Sequence, residues 1–104
     1  MSAEVTVTKD PARRRYEAHL DGDTVAGFVD YQETAELVLL QHTEVDPSYE
    51  GRGVGSALAR ASLDDVRASG LKALVICPFI SGWVRHHPEY GDLLYNAPPS
   101  RVTD

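Results

Sequence analysis

Three glycines, Gly51, Gly53 and Gly55, stand within five consecutive positions and are followed at once by a segment with the apolar spacing of a helix. Glycine weakens a helix interior, so a cluster of this kind belongs to the turn in front of a helix rather than to the helix itself. The residues before the turn are patterned as strands. The turn therefore separates a strand-forming first part of the chain from a helix-containing second part.

The part before the turn predicts an antiparallel meander of four strands. Residues 5–8 and 13–20 alternate apolar and polar side chains, as strands with one buried face do. The Asp-Gly-Asp sequence at 21–23 predicts a hairpin turn into a third strand at 24–32. Residues 36–45 carry apolar side chains at successive positions in their first half, which predicts a central strand covered on both faces.

The part after the turn predicts a helix, a strand and further short helices. Apolar residues at helical spacing extend from Val54 to about Ser69, and the β-branched segment 72–76 predicts a strand. A strand–helix–strand unit places that last strand parallel to the fourth. Short helices are expected after it, with Ser81 as an N-cap and Pro88 as a break or a new first turn. The predicted fold class is α+β, with a mixed sheet whose main helix follows the glycine turn.

Length and composition bound the kind of protein. A chain of 104 residues suits one domain, which we expect to span residues 1–95, ahead of a polar, fraying tail at 96–104. The net charge of −6 argues against a nucleic-acid partner, because neutralising phosphates requires a basic surface. Cys77 is the single cysteine, so no internal disulfide forms and a reducing compartment is expected. The N-terminal residues lack the apolar core of a signal peptide, and no apolar stretch of the sequence is long enough to span a membrane. We therefore expect a cytoplasmic location and no membrane partner.

The glycine turn has the chemistry of a phosphate-binding site. Peptide N–H groups at a helix N-terminus lack partners, and the helix dipole makes that end partly positive. Glycines permit positive φ angles and keep side chains away from an anion. The Walker A loop is excluded because no lysine follows Gly55, and the dinucleotide fingerprint is excluded by its glycine spacing and by the preceding meander. By spacing alone, a tight strand-to-helix turn without a ligand is an equal alternative.

The segments HTEVDPSYEGRGVGSALARASLDDVRASG, LVICPF and VRHHPEYGDLL, in that order, closely resemble the minimal, single-domain branch of the GNAT acetyltransferase superfamily. The resemblance covers about residues 25–95. It implies a GNAT fold in which the fourth strand and the next parallel strand splay apart, with pantetheine along the fourth strand and the pyrophosphate of acetyl-coenzyme A at the turn. The cofactor-binding residues so implied are Thr43, Glu44, Val45, Glu50, Gly51, Arg52, Gly53, Val54, Gly55 and Ser56. Glu50 departs from the superfamily motif, and its carboxylate is expected to turn away from the phosphates.

Two polar side chains are the candidates for catalysis, His42 near the end of the fourth strand and Cys77 at the end of the parallel strand. Taken alone, a strand histidine and a single cysteine are more often structural. The resemblance places both at the thioester. His42, expected on the same sheet face as Leu40 and Glu44, would act as a base, and Cys77 would be the nucleophile, the general acid or a lining residue of the pocket.

The last part of the chain adds further candidates. Tyr90 or Tyr95 could protonate the departing thiolate in place of the cysteine, as a tyrosine does in larger GNAT enzymes. His86 and His87 lack the spacing and the additional ligands of a zinc site, so no metal is expected.

The resemblance implies an enzyme that transfers an acetyl group from acetyl-coenzyme A to an amine. The acidic composition favours a cationic acceptor, such as a protein lysine, an N-terminus or a polyamine. The alternative is a non-catalytic acyl-coenzyme A binding module that senses the ligand or presents it to a partner. Both hypotheses need the glycine turn, and only the enzyme needs His42 and Cys77 at the thioester. The oligomeric state is left open.

Overall fold

A five-stranded sheet with the strand order β1-β2-β3-β4-β5 organises the fold. The computed structural model describes residues 5–20, 22 and 24–95. Strands β1 to β4 are antiparallel neighbours and β5 is parallel to β4, which confirms the predicted α+β class with its mixed sheet. The strands are β1 Val5–Asp10, β2 Arg15–Leu20, β3 Thr24–Glu33, β4 Leu37–Val45 and β5 Lys72–Val75. The helices are a 3₁₀ helix Pro47–Tyr49, α1 Val54–Ala68, α2 Pro78–Arg85 and a 3₁₀ helix Pro88–Leu93.

Two of the predictions fall outside the described residues. The fraying tail at 96–104 lies there entirely, and so do Asp21 and Asp23 of the predicted hairpin turn, of which the structure describes Gly22 alone. Among the residues that are described, no helix is long and apolar enough to cross a membrane.

Helix α1 covers one face of the sheet and closes the core. Its apolar residues Leu58, Leu63 and Val66 are fully buried and pack with the strand side chains that the alternation of β2 turns inward. Those inward residues are Tyr16, Ala18 and Leu20, as the sequence pattern predicts. Helix α2 packs on the same side, where the Nε1 of Trp83 donates to the Oγ of Ser56 at the start of α1.

The opposite face of the sheet has no helix on it in the described part of the chain. The expectation that β4 is covered on both faces is therefore wrong: Val38 and Leu40 are buried on the α1 side, whereas Leu37 and Leu39 remain partly exposed on the other. The apolar residues on the uncovered face of β4 are explained by contacts within the sheet, because Leu39 lies opposite Leu74 of the neighbouring strand β5.

Helix α2 begins earlier than predicted. Cys77 is its N-cap and Pro78 its first residue, a position where proline loses no hydrogen bond and has the φ angle that a helix needs. Ser81, the predicted N-cap, lies inside the first turn and donates its N–H to the carbonyl of Cys77. Pro88 does begin the following 3₁₀ helix, as predicted.

A β-bulge in β4 decides which side chains reach each face of the sheet. Tyr31 of β3 lies opposite Leu40, but the preceding residue, Asp30, lies opposite His42, so Gln41 has no partner of its own. The extra residue reverses the alternation. Leu40 faces the core, His42 faces the uncovered side, and Thr43 faces the core again.

Candidate active site

Strands β4 and β5 pair over four positions only and then separate. The last pair is Leu40 with Val75, and the carbonyl of Leu40 accepts the N–H groups of both Ile76 and Cys77, at 2.9 and 3.1 Å. The chain then enters α2, while β4 continues to Val45. The second half of β4 consequently borders an open gap, which is the splayed arrangement that the family resemblance implies.

The peptide groups of β4 along this gap alternate in direction. The N–H of Asp46 donates to the carbonyl of Ala26 in β3, so by the alternation of a strand the peptide groups of Val45 and Thr43 point away from β3, into the gap. Glu44 is different, because its carbonyl oxygen lies against β3, 2.6 Å from the position that a Cβ at Gly27 would take. Thr43 and Val45 are thus placed to bond an extended ligand through the main chain, and Glu44 is not.

The glycine turn presents free N–H groups at the start of α1. Gly51 and Gly53 have φ angles of 83° and 78°, which residues with a side chain rarely adopt, and no side chain caps the helix at Gly53. The first helical bond runs from Ala57 to Gly53. The N–H groups in front of it lack an acceptor within the helix, and they belong to Val54, Gly55 and Ser56. An anion at this end is favoured by these donors and by the helix dipole.

Two of the residues predicted at the turn have other roles. The N–H of Arg52 donates to the carbonyl of Tyr49, and the Arg52 guanidinium lies over the Tyr49 ring, 5.8 Å from its centroid. Gly55 does not have a positive φ angle, so its backbone conformation does not call for glycine. A glycine at this position instead makes room for Phe79, since a Cβ there would lie 2.6 Å from the Phe79 ring. The part of the turn with the geometry for binding an anion therefore consists of Gly53 and the first residues of α1 after it.

One cavity of about 390 Å³ joins the free edge of β4 to the helix start. Most of the predicted cofactor residues line it, including Glu50, which was expected to turn away; Glu44 and Arg52 do not. Tyr49 and Phe79 line it too, although neither was predicted. A signal for Phe79 does exist in the sequence, since the aromatic residue directly follows the Cys-Pro pair that begins α2. The lining residues are Thr43, Val45, Tyr49, Glu50, Gly51, Gly53, Val54, Gly55, Ser56 and Phe79.

Cys77 lies at the junction of β5 and α2, behind Thr43. It is 1% exposed, its sulfur lies 2.9 Å from the Oγ1 of Thr43, and the N–H of Ile80 donates to the same sulfur at 3.5 Å. The thiol does not line the cavity, whereas the threonine does. The polar side chain of the sheet that lies nearest to the cavity at this point is therefore that of Thr43.

His42 lies on the uncovered face of the sheet, away from Cys77. Its Nε2 is 3.2 Å from the Oε2 of Glu44, its ring centroid is 6.1 Å from that of Phe28, and its side chain is 55% exposed. The prediction that His42 shares a face with Leu40 is wrong, because the bulge at Gln41 turns it over. The structure therefore does not bring histidine and thiol together as a base and its nucleophile.

Neither C-terminal tyrosine reaches the cavity. The hydroxyl of Tyr90 donates to Asp64 of α1 at 2.7 Å, and burial together with this carboxylate raises the pKa of Tyr90. Tyr95 continues the edge of the sheet, with its N–H bonded to the carbonyl of Ala73.

His86 and His87 contact residues of α2. Nδ1 of His86 lies 3.2 Å from the carbonyl of Gly82, and His87 stacks on Trp83 with ring centroids 3.7 Å apart. Residues 5–20, 22 and 24–95 contain no group of three or more metal-ligating side chains.

Known proteins are similar to this chain in sequence over most of its length. The family model of the GCN5-related N-acetyl-transferases matches residues 15–93. The mouse (Mus musculus) protein NATD1 is 35% identical over 85 residues, which make up 81% of this chain and 77% of the relative.

Solved structures share the fold. A GCN5-like protein of Staphylococcus aureus superposes with a TM-score of 0.67 over 95% of this chain and 96% of its own, at 18% identity. The aminoglycoside acetyltransferase AAC(6')-Iy, solved with a bisubstrate analogue of coenzyme A, superposes with a TM-score of 0.51 over 86% of this chain and 67% of its own, at 20% identity. At these identities the likeness shows the fold alone.

Proposed function

The chain belongs to the GCN5-related N-acetyl-transferase family, and we propose that it transfers an acetyl group from acetyl-coenzyme A to a primary amine. The observation that carries the proposal is the single cavity that joins a free strand edge to an uncapped helix N-terminus. These are the two main-chain sites that a ligand with both amides and phosphates requires. When bound, acetyl-coenzyme A would supply the activated thioester.

The turn fits the pyrophosphate. Gly51 and Gly53 bring bare backbone to the cavity, and the space that a Cβ would occupy at either residue is open. The N–H groups of Val54, Gly55 and Ser56 point out of the first turn of α1, where a negative charge is stabilised. The acidic Glu50 also lines the cavity, and its charge opposes an anion, so the affinity has to come from the main chain.

The edge of β4 fits the pantetheine. The peptide groups of Thr43 and Val45 face the gap, where an extended chain with amide groups can add to the sheet as a further strand would. Phe79 lines the same cavity, where it contributes apolar surface, and is 46% exposed. A ligand that covers Phe79 removes this apolar surface from water, which adds to the affinity.

The polar side chains near the gap lie on opposite faces of the sheet, with His42 on the uncovered face and Thr43 and Cys77 on the α1 side. We propose direct transfer, in which His42 receives the proton of an amine that approaches from the uncovered face while the C–N bond forms. The C–S bond breaks on the other side of β4, where the Thr43 hydroxyl can donate a hydrogen bond to the departing sulfur. Because that hydroxyl has only one proton to donate, the Cys77 thiol donates its S–H to the Thr43 oxygen in this step, and Cys77 is not itself acylated.

A specific observation favours one other function, that of a non-catalytic acyl-coenzyme A binding module. His42 and Cys77 lie on opposite faces of the sheet, so the pair that a thiol relay requires is not formed. A binding module needs only the turn and the free edge.

Calorimetry with acetyl-coenzyme A, followed by measurement of coenzyme A release with a panel of amines, tests the proposal. Binding with turnover on at least one amine supports the enzyme. Binding without turnover on lysine peptides, N-terminal peptides and polyamines supports the binding module instead.

A further inference from the structure

A groove of about 590 Å³ lies on the uncovered face of the sheet, next to the cavity at the gap. It runs along β3 and the end of β4, and its walls include Arg15, Phe28, Glu44 and Asp46. Val45 lines this groove as well as the cavity, so the two adjoin across β4. A molecule in the groove would lie beside the gap without competing for the glycine turn.

The groove has the chemistry of a cation site. The chain places one of its own cations there: the Arg15 guanidinium lies 4.0 Å from the centroid of the Phe28 ring and 3.5 Å from the Oδ1 of Asp30. An aromatic face bordered by carboxylates attracts ammonium and guanidinium groups in general. The carboxylates outnumber the arginines on this face, with Glu17, Asp30, Glu44 and Asp46 against Arg13 and Arg15.

Among the carboxylates of the groove, Glu44 is the one that contacts His42. Its side chain is 63% exposed and lies 3.2 Å from the Nε2 of His42, the proposed base. An acceptor ammonium drawn to Glu44 would therefore arrive beside His42, at the edge of the gap.

The same face also carries apolar surface. Leu37, Leu39 and Leu74 lie on it next to one another, partly exposed. These leucines do not line the groove, and Leu39 lies further back along β4, roughly 16 Å from Glu44 at about 3.3 Å per residue, so an occupant that contacts both parts of the face must be long. A polypeptide has both the cationic and the apolar side chains that such a surface can hold.

We propose that the acetyl acceptor is a lysine within an extended, basic segment of a protein partner, and that this segment docks on the uncovered face. The inference rests on the proposed acetyl transfer, whose acceptor it names. Basic side chains of the segment contact the carboxylates of the groove, and apolar ones contact the leucines. The acceptor lysine reaches the gap beside His42.

The test uses the purified full chain and begins with calorimetry of coenzyme A, on whose binding the inference depends. The probes are two capped peptides of about ten residues, long enough when extended at about 3.3 Å per residue to cross the sheet. Each has one central lysine, flanked by arginines in one peptide and by glutamates in the other. Spermidine represents small polyamines. Affinity for the coenzyme A-saturated protein and acetylation of each probe are both measured.

Glu44→Lys is the test variant, and Glu89→Lys is its matched control. Glu89 is also exposed and lies in the 3₁₀ helix Pro88–Leu93, which packs on α1 through Tyr90 and therefore lies on the opposite side of the sheet from the groove. We expect the arginine-flanked peptide to bind at least about tenfold more tightly than the glutamate-flanked one, and Glu44→Lys to weaken it by a similar factor. Glu89→Lys should change it less than about threefold. Glu44→Gln, which keeps the shape of the side chain, should weaken binding in the same direction if Glu44→Lys does not fold.

Three results would overturn the inference alone: equal binding of the two peptides, equal effects of the two lysine variants, or acetylation of spermidine without that of the peptides. Failure of coenzyme A to bind would overturn the proposed function itself, and the inference with it.

Discussion

Thr43 and Cys77 meet across the gap in the sheet, with the Oγ1 of Thr43 2.9 Å from the Sγ of Cys77. The sulfur also accepts the N–H of Ile80 and so caps α2. The thiol is thereby held in the packing of α2, while Thr43 lines the cavity. From the cavity inward, Thr43 comes first and Cys77 second.

This order predicts different effects for the two residues. Thr43→Val should lower kcat by roughly tenfold or more, because it removes the hydrogen-bond donor at the cavity. Cys77→Ala should keep appreciable turnover. Steady-state kinetics on both variants measure the difference. Intact-protein mass spectrometry after incubation with acetyl-coenzyme A and no acceptor should show no adduct, and a stoichiometric, hydroxylamine-sensitive acetyl group would contradict direct transfer.

The glycine turn predicts the site of the phosphates. Gly53→Asp should abolish coenzyme A binding by calorimetry, since it places a carboxylate at the helix start where the phosphates would lie. Gly70→Asp is the matched control: Gly70 follows the other end of α1, also has a positive φ, 75°, and also has open space at the Cβ position. Equal affinities for the two folded variants would rule out this location.

The contact of Gly55 with Phe79 predicts a packing defect that a second change repairs. Gly55→Ala puts a methyl group 2.6 Å from the tip of the half-exposed ring, so the ring must turn aside, and we expect a loss of about 1 kcal/mol in the free energy of unfolding, at the low end for overpacking. Urea denaturation measures the loss. Phe79→Leu in the Gly55→Ala background should recover part of it, and a double variant as unstable as the sum of the single ones would contradict the contact.

Asp65 of α1 predicts a loss of stability in acid. Burial alone would raise its pKa, but the hydrogen bonds from Tyr16 and Lys9 outweigh burial and lower it below the ordinary value. A lowered pKa means stability that is present above the unfolded-state pKa of about 3.9 and is lost as the pH falls through the folded-state value. Urea denaturation from pH 6 to about pH 2 should show this loss, and Asp65→Asn should flatten it.

Tyr16→Phe provides the control for this titration. It removes one of the two hydrogen bonds and keeps the carboxylate, so the acid loss should become smaller without vanishing. An unchanged pH profile in Asp65→Asn would assign the loss to other carboxyl groups.

Much of the fold could be predicted because its signals are local. The alternation in β2 follows from which face is buried, and the glycines mark the turn because positive φ angles at Gly51 and Gly53 need them. The start of α2 was misplaced for a local reason too. Pro78 at the first helical position makes Cys77 the cap, and Ser81, the fourth residue of the helix, is predicted as a cap only if the proline is overlooked as the first helical residue.

Local patterns in the sequence predict the strand–turn–helix order and a glycine turn suited to an anion, and they place a histidine and a cysteine near adjacent strand ends. Which of these side chains meet depends on how the strands pair, and local patterns do not contain that information. A bulge depends on the pairing of two strands, and Gln41 is unpaired because β3 and β4 shift register between Asp30 and Tyr31. That shift is not a property of either strand alone. Because side chains alternate every residue, one unpaired residue moved His42 to the uncovered face and brought Thr43 to Cys77.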